Sequence, residues 1–133
     1  MATHTFTRRT SARRQVVDIT ADVSGIVRGT GASAGICLIS VPHCTCAVYV
    51  NENEAGLVDD VLTLLARIVR GGEWQHDRID NNASAHLTAI LAGNSVALPI
   101  EGGEVHLGTW QSIMLAELDG PRERRVNVTV MGD

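Results

Sequence analysis

Residues 95–131, SVALPIEGGEVHLGTWQSIMLAELDGPRERRVNVTVM, decide the fold class. Four β-type runs lie in this third: Ser95 to Ile100, Val105-His106-Leu107, Ser112 to Leu118 and Arg124 to Met131. Gly102-Gly103 and Asp119-Gly120-Pro121 supply the turns between them, because glycine tolerates positive φ and proline presets a bend. The other end of the chain has the same character. Thr3 to Arg9 and Arg14 to Ile19 read as a hairpin through Thr10-Ser11-Ala12, and Gly35 to Val41 and Cys44 to Val50 read as two more strands. Pro42-His43 interrupts the latter pair, and since proline cannot donate to a ladder, His43 is expected at a bend or strand rim.

Helices are expected between these strand-rich ends. Thr20 or Asp22 can cap a short helix stopped by Gly29-Thr30-Gly31. Between Glu54 and Val69, Leu57, Val61, Leu64, Leu65 and Ile68 recur at helical spacing, and Gly71-Gly72 ends the run. A polar loop, Glu73 to Asn81, leads into a further helix from about Asn82 to Leu91. Strands at both ends and helices in the middle indicate an α+β fold: one compact domain over residues 1–133, with a largely antiparallel β-sheet and central helices. A doubly wound nucleotide-binding sheet does not fit this order.

Composition narrows the function classes. The chain has 133 residues, a size at which one hydrophobic core forms efficiently. Hydrophobic residues make up 44% but aromatics only 3%, so Val, Ile, Leu and Ala must build the core. All 11 basic residues are arginine, which removes lysine Schiff-base and lysine general-base chemistry and leaves phosphate to arginine, hydroxyls, backbone N–H or a metal. A formal charge of -4 gives no reason to expect nucleic acid as a partner. No run approaches the roughly 20 apolar residues of a membrane span, and Met1-Ala2-Thr3-His4 lacks a signal-peptide pattern. A cytoplasmic location is the default expectation, with Cys37, Cys44 and Cys46 as reduced thiols.

Three histidines carry the strongest local signal. His43 precedes Cys44-Thr45-Cys46 and Asn51-Glu52, while His76-Asp77 leads through Asp80-Asn81-Asn82 to His86. Brought together, they make a divalent-metal site or an acid/base cluster, with Glu52, Glu54 or Asp77 adding oxygen. Held apart, His43 is a packed bend, His76 a solvated loop residue and His86 a helix-surface residue. The spacing matches no standard zinc pattern. A Cys44–His43 nucleophilic pair is a weaker alternative, because neighbours in an extended run face opposite ways.

Two other polar stretches qualify. Gly108-Thr109-Trp110-Gln111-Ser112 combines a permissive glycine, hydroxyls and an amide; Trp110 is either the wall of a flat-ring pocket or a packing residue. Arg122, Arg124 and Arg125 follow the Asp119-Gly120-Pro121 turn, and their guanidinium forks suit phosphate oxygens, with Glu117 as the alternative partner. His4 and His106 are weak candidates.

Taken in order, these residues resemble the YjbQ family. The resemblance runs from His43-Cys44-Thr45-Cys46-Ala47 and Asn51-Glu52 through His76-Asp77, Asn82-Ala83 and Ala85-His86. It continues through Gly93, Leu98-Pro99, Gly103 and Leu107-Gly108-Thr109-Trp110-Gln111 to Glu117-x-Asp119-Gly120-Pro121-Arg122. It covers the chain from about Ile36 onward. Two departures stand out: Ala55-Gly56 replaces the family's Asp-Pro after Asn-Glu, and Cys44 and Cys46 replace hydroxyl or small residues.

The resemblance implies a compact α+β homotrimer with a polar cleft near a subunit boundary. It implies a secondary, thiamine-phosphate synthase-like transferase activity that joins a pyrimidine methyl diphosphate to a thiazole phosphate and expels pyrophosphate. His43, His76 and His86 carry over as ligands of a divalent metal, zinc or magnesium. Glu52 and Asp77 would orient an imidazole. Asn51, Thr109, Gln111, Arg122 and Arg124 are the expected contacts to a small phosphorylated metabolite, with Trp110 stacking on its ring. A metal-dependent phosphate-ester hydrolase, a non-catalytic phosphometabolite- or metal-binding module, and a structural oligomer with a histidine-rich interface are the competing readings.

Overall fold

Alternating apolar residues build two antiparallel sheets that close over a shared core. The computed structural model describes residues 1–133. Strands β1 (Ala2–Arg9), β2 (Gln15–Asp18), β3 (Ala34–Ser40), β4 (Cys46–Asn51), β5 (Ser95–Glu101), β6 (Glu104–Val105), β7 (Ser112–Glu117) and β8 (Glu123–Gly132) alternate with helices α1 (Thr20–Thr30), α2 (Ala55–Ile68) and α3 (Ala83–Ala92). One sheet has the order β1-β8-β3-β5-β6 and the other β2-β7-β4. The α+β class and the helix positions follow the sequence pattern.

The core lies between the sheets and α1. Cys37 and Ile39 on β3 and Val126, Val128 and Val130 on β8 face Val48, Ile113 and Leu115 of the smaller sheet, with Val23 and Val27 of α1 packed among them. The spacing of two residues along each strand puts these side chains on one face. Their burial contributes about 1.5–3 kcal/mol each for the larger aliphatics. α3 packs Ala85 and Ala89 against Leu118 at the end of β7. No helix is long and apolar enough to cross a membrane.

Two local expectations change. The N-terminal hairpin does not form: β1 pairs with β8, Ala2 opposite Val130 through Arg9 opposite Glu123, while β2 pairs with β7. The eight-residue β1 finds a full-length partner in β8, and the chain then crosses between sheets at Thr10 to Arg14. Thr10 N–H donates to Arg122 O and Gly120 N–H to Arg13 O, so the crossing is tied to the β7–β8 turn. Neither Thr20 nor Asp22 caps α1. Asp18 Oδ1 accepts from the Thr20 amide at 2.8 Å, Thr20 Oγ1 accepts from Ile113 N–H, and Asp22 is paired with Arg8.

The departure at Ala55-Gly56 has a structural counterpart. Glu54 Oε2 accepts from Leu57 N–H at 2.9 Å and caps α2. Its carboxylate folds over Gly56, where a Cβ would lie only 2.9 Å from Glu54 Oε1. Glu54 is therefore a helix cap and not a metal ligand.

The two sheets are joined by a buried ion pair. Arg124 on β8 donates from Nε to Glu117 Oε1 at 2.9 Å and from NH2 to Glu117 Oε2 at 2.5 Å. Its NH2 also donates to Thr45 O and Oγ1, and Thr10 Oγ1 donates to Glu117 Oε1 at 2.7 Å. Arg124, expected as a phosphate contact, is thus buried and fully engaged inside the fold. Burial pushes the Glu117 carboxyl up, but the hydrogen bonds from Arg124 and Thr10 outweigh it and hold the group below its usual range. Stability from this carboxylate is fully present above the unfolded glutamate value and is lost as pH falls through the lowered folded value. Glu117→Ala should cost about 3–5 kcal/mol, because it strands a buried guanidinium. Urea unfolding at neutral pH checks this, and a cost below about 1 kcal/mol would show that the pair is not the joint described here.

Candidate functional site

His43 follows Pro42 in the bend between β3 and β4, where proline stops the ladder. Its Nε2 accepts from the Arg125 N–H of β8 at 2.9 Å. Burial lowers its pKa, helped by the positive charges of Arg124 and Arg125. His86 sits on the first turn of α3, and its ring meets that of His76 edge-on with centroids 4.6 Å apart. His76 belongs to a short 3-10 turn, Gln75–Arg78. Its Nε2 is buried without a hydrogen-bond partner, 3.9 Å from Asp80 Oδ2 and beyond bonding distance.

His43 and His86 line one cleft of about 470 Å³, together with Cys44, Cys46, Ala89, Ile90, Gly93 and Asn94. His76 does not line it. It stands behind His86 and lines a second hollow of about 310 Å³ with Trp74 and Leu87. The three histidines are therefore arranged in series, with His86 in the middle.

This arrangement does not fit the expected three-imidazole metal site. No three His, Cys, Asp or Glu side chains of the chain are grouped so as to hold one metal ion. His43 Nε2 already accepts a backbone hydrogen bond, and the two arginine charges beside it oppose a cation. Asp77 does not orient an imidazole either: its Oδ1 accepts from Ala83 N–H at 2.9 Å and satisfies the start of α3.

The cysteines divide by exposure. Cys37 and Cys46 are buried and Cys44 is exposed, all three free. Burial pushes the Cys46 thiol up to about 11. Its thiolate fraction at neutral pH is only about one in ten thousand, which removes it as a nucleophile.

Asn51, Glu52, Trp110 and Gln111 form a separate groove of about 290 Å³ with Val50 and Leu57. Asn51 Oδ1 accepts from Glu52 N–H and Gln111 Oε1 from Gly108 N–H, so their NH2 groups are what remain for a ligand. Trp110 is 73% exposed and is not a core block. Thr109 is exposed beside it. This groove lies at the Asn51 end of β4, whereas the histidine cleft lies at the Cys46 end. The six-residue strand sets them about 17 Å apart.

Arg122 is the one expected phosphate contact tied to the histidine side. It donates to Asp119 Oδ2 at 3.0 Å, and the same oxygen accepts from Asn82 Nδ2 at 2.8 Å. Asn82 is the residue that starts α3, so Arg122, Asp119 and Asn82 connect directly to the helix bearing His86. Burial raises the Asp119 carboxyl, but the bonds from Asn82 and Arg122 outweigh it and keep the group ionised well below neutrality. Asn82 Oδ1 is buried and unpaired. In the sequence Asn82 stands as a helix start and Asp119 as a turn residue, both within the family-like blocks, and their spacing of 37 positions carries no sign that they meet.

Comparison with known proteins places the chain. A sequence model described as UPF0047 protein YjbQ-like matches residues 4–133. The chain belongs to the YjbQ-like UPF0047 family. A UPF0047 protein of Methanothermobacter thermautotrophicus is 46% identical over 93% of this chain and 87% of its own length. One from Archaeoglobus fulgidus is 44% identical over 95% and 98%. Among solved structures, a YbjQ-like protein of unknown function from Sulfolobus solfataricus P2 superposes with a TM-score of 0.97 at 41% identity, covering 99% of this chain and 97% of the other. A hypothetical protein from Aeropyrum pernix K1 gives 0.97 at 42% identity over the full length of both.

Within this YjbQ-like chain, Asp77 acts by capping. Asp77→Ala should destabilise the fold by about 0.5–2 kcal/mol, whereas Asp77→Asn, which keeps the acceptor oxygen, should cost only a few tenths. Denaturant midpoints of both variants check this, and equal losses would remove the capping assignment.

Proposed function

We propose that this YjbQ-like protein binds a small phosphorylated metabolite in the histidine cleft and acts as a transferase of the thiamine-phosphate synthase kind. The supporting observation is that two imidazoles, His43 and His86, share one cleft with the apolar surface of Ala89 and Ile90. Two arginines are tied to the elements that bear the histidines: Arg125 through the bond from its backbone N–H to His43, and Arg122 through Asp119 and Asn82 to the start of the helix that bears His86. The apolar wall suits a heteroaromatic ring, and the nitrogen donors suit phosphate oxygens.

In the proposed reaction, the lone pair of the thiazole nitrogen forms a C–N bond to the pyrimidine methylene. The methylene C–O bond breaks and its electron pair leaves with pyrophosphate. The attacking nitrogen carries no proton, so no general base is required, and Glu52 and Asp77 have no catalytic part. The residues' task is to position both substrates and to place N–H donors where negative charge grows on the leaving group. His86 and Arg122 do this. One chain's imidazoles do not form a three-ligand set, so these steps are carried by the chain's own N–H donors.

A homotrimer is part of the proposal. Leu64, Ile68, Ile79, Ile90, Leu91 and Trp110 all expose more than half of their surface. Isolated apolar residues are ordinary, but so many on one small chain favour burial against other copies. Assembly would also let the Asn51–Gln111 groove of one copy face the histidine cleft of the next, with Trp110 stacking on the ring. A monomeric mass by light scattering from micromolar to millimolar concentration would remove this element.

The activity test supplies both thiamine precursors and measures thiamine phosphate and pyrophosphate together. Formation of both, reduced about a hundredfold in a folded His86→Ala variant, supports the transferase reading. Phosphate release without thiamine phosphate would replace it with hydrolysis, and saturable binding without turnover would replace it with a binding module. Arg122→Ala should weaken phosphorylated ligands about tenfold while leaving unphosphorylated analogues nearly unchanged. Isothermal titration with each pair checks this.

A further inference from the structure

We infer that His43 is a fixed-tautomer, neutral hydrogen-bond donor that presents Nδ1–H to the cleft, and is not a metal ligand or general base. The backbone of β8 dictates the tautomer. Arg125 N–H is a donor and nothing else, so the imidazole nitrogen 2.9 Å away must carry a lone pair. A neutral imidazole has one N–H, which then resides on Nδ1. Turning the ring over would set a carbon against the amide and leave the Arg125 N–H without its acceptor. Nδ1 has no partner within the chain and, unlike His76 Nε2, is not a buried unpaired atom, so it opens to the cleft that His43 lines.

Protonation is disfavoured from several sides. An imidazolium would turn Nε2 into a donor facing the Arg125 N–H. Arg124 and Arg125 on β8 add positive charge, and Glu117 on β7 opposes them only in part, being already paired with Arg124. Cys46 on β4 is a neutral thiol, and Cys44 in the bend before β4 and His86 on α3 are the remaining titratable wall residues. Burial and the arginines lower the pKa of His43, in agreement with the geometry.

The ligand class follows from the donor. A neutral N–H backed by two arginine charges suits an oxyanion, and a divalent cation would meet a hydrogen instead of a lone pair. Where the phosphometabolite reading holds, His43 contacts a phosphate oxygen in both ground and reacting states, so it serves binding more than proton transfer. That last step rests on the proposed function; the tautomer does not.

Histidine-selective nitrogen-15 labelling of the full chain, with long-range proton–nitrogen correlation, tests both parts. His43 signals are assigned by their loss in His43→Gln. The expected result is Nδ1 protonated and Nε2 bare, unchanged as pH falls past the ordinary imidazole value, unmoved by one equivalent of zinc, and shifted at Nδ1 by inorganic phosphate. Nε2–H, an imidazolium near pH 6.5, or zinc-dependent shifts at His43 would overturn the inference. A correct tautomer that no phosphate concentration perturbs would instead sink the phosphate reading while the donor assignment stands. In a second measurement, His43→Phe should bind phosphate about tenfold or more weakly. His43→Asn, which keeps an N–H near the Nδ1 position, should recover part of that loss, and no recovery would count against a donor role.

Discussion

The buried contact between Arg124 and Glu117 is the constraint on which the rest of the structure depends. A charge pair at 4% and 0% side-chain exposure must satisfy all its hydrogen-bonding capacity or be strongly destabilising. It recruits Thr10 from the crossing after β1 and Thr45 from the entry to β4, so four separate parts of the chain converge on one carboxylate–guanidinium pair. The two sheets are registered against each other at this point. Gly120 follows from it as well: a Cβ there would meet Ala12 O at 2.4 Å and Glu117 Cγ at 2.7 Å, so the turn packs too tightly for any side chain.

The site inherits its geometry from that joint. Arg124 points inward, so by strand alternation its neighbour Arg125 points out, and because the β3–β8 ladder ends at Ser40 opposite Asn127, the Arg125 backbone amide is left free for His43. The imidazole is held by main chain on a rigid strand, which fixes its tautomer without any carboxylate partner. His86 is placed independently, by the packing of α3 on Leu118 and by the Asp77 cap. The cleft is therefore assembled from two separately stabilised elements, and Asn82–Asp119–Arg122 connects them at the helix start.

Much of this was legible before folding. Glycine and proline punctuation marked β5, β7 and β8, helical spacing marked α2, and Pro42 put His43 at a strand rim. The family was legible as well, and the YjbQ-like model matches residues 4–133. Roles were read less well where one residue type serves two purposes. Arg124 and Arg122 look alike in sequence, yet one is sealed inside the fold and the other is half exposed. Asp77 beside His76 suggested imidazole orientation, but a carboxylate just ahead of a helix has a nearer claim from unpaired amides. The expected hairpin failed for a related reason: short spacing favours local pairing, and β8 offered β1 a longer partner.

Sequence by itself determined the α+β class, the order of strands and helices, and the family, because periodicity, turn chemistry and ordered motifs are properties of the chain read locally. Only the tertiary structure decided which of those residues share a surface. It separated the Asn51–Gln111 groove from the histidine cleft, placed His76 behind His86, and gave His43 a backbone donor where a metal had been expected. Those outcomes depend on contacts between residues tens of positions apart, and such contacts are set by how sheets register and pack.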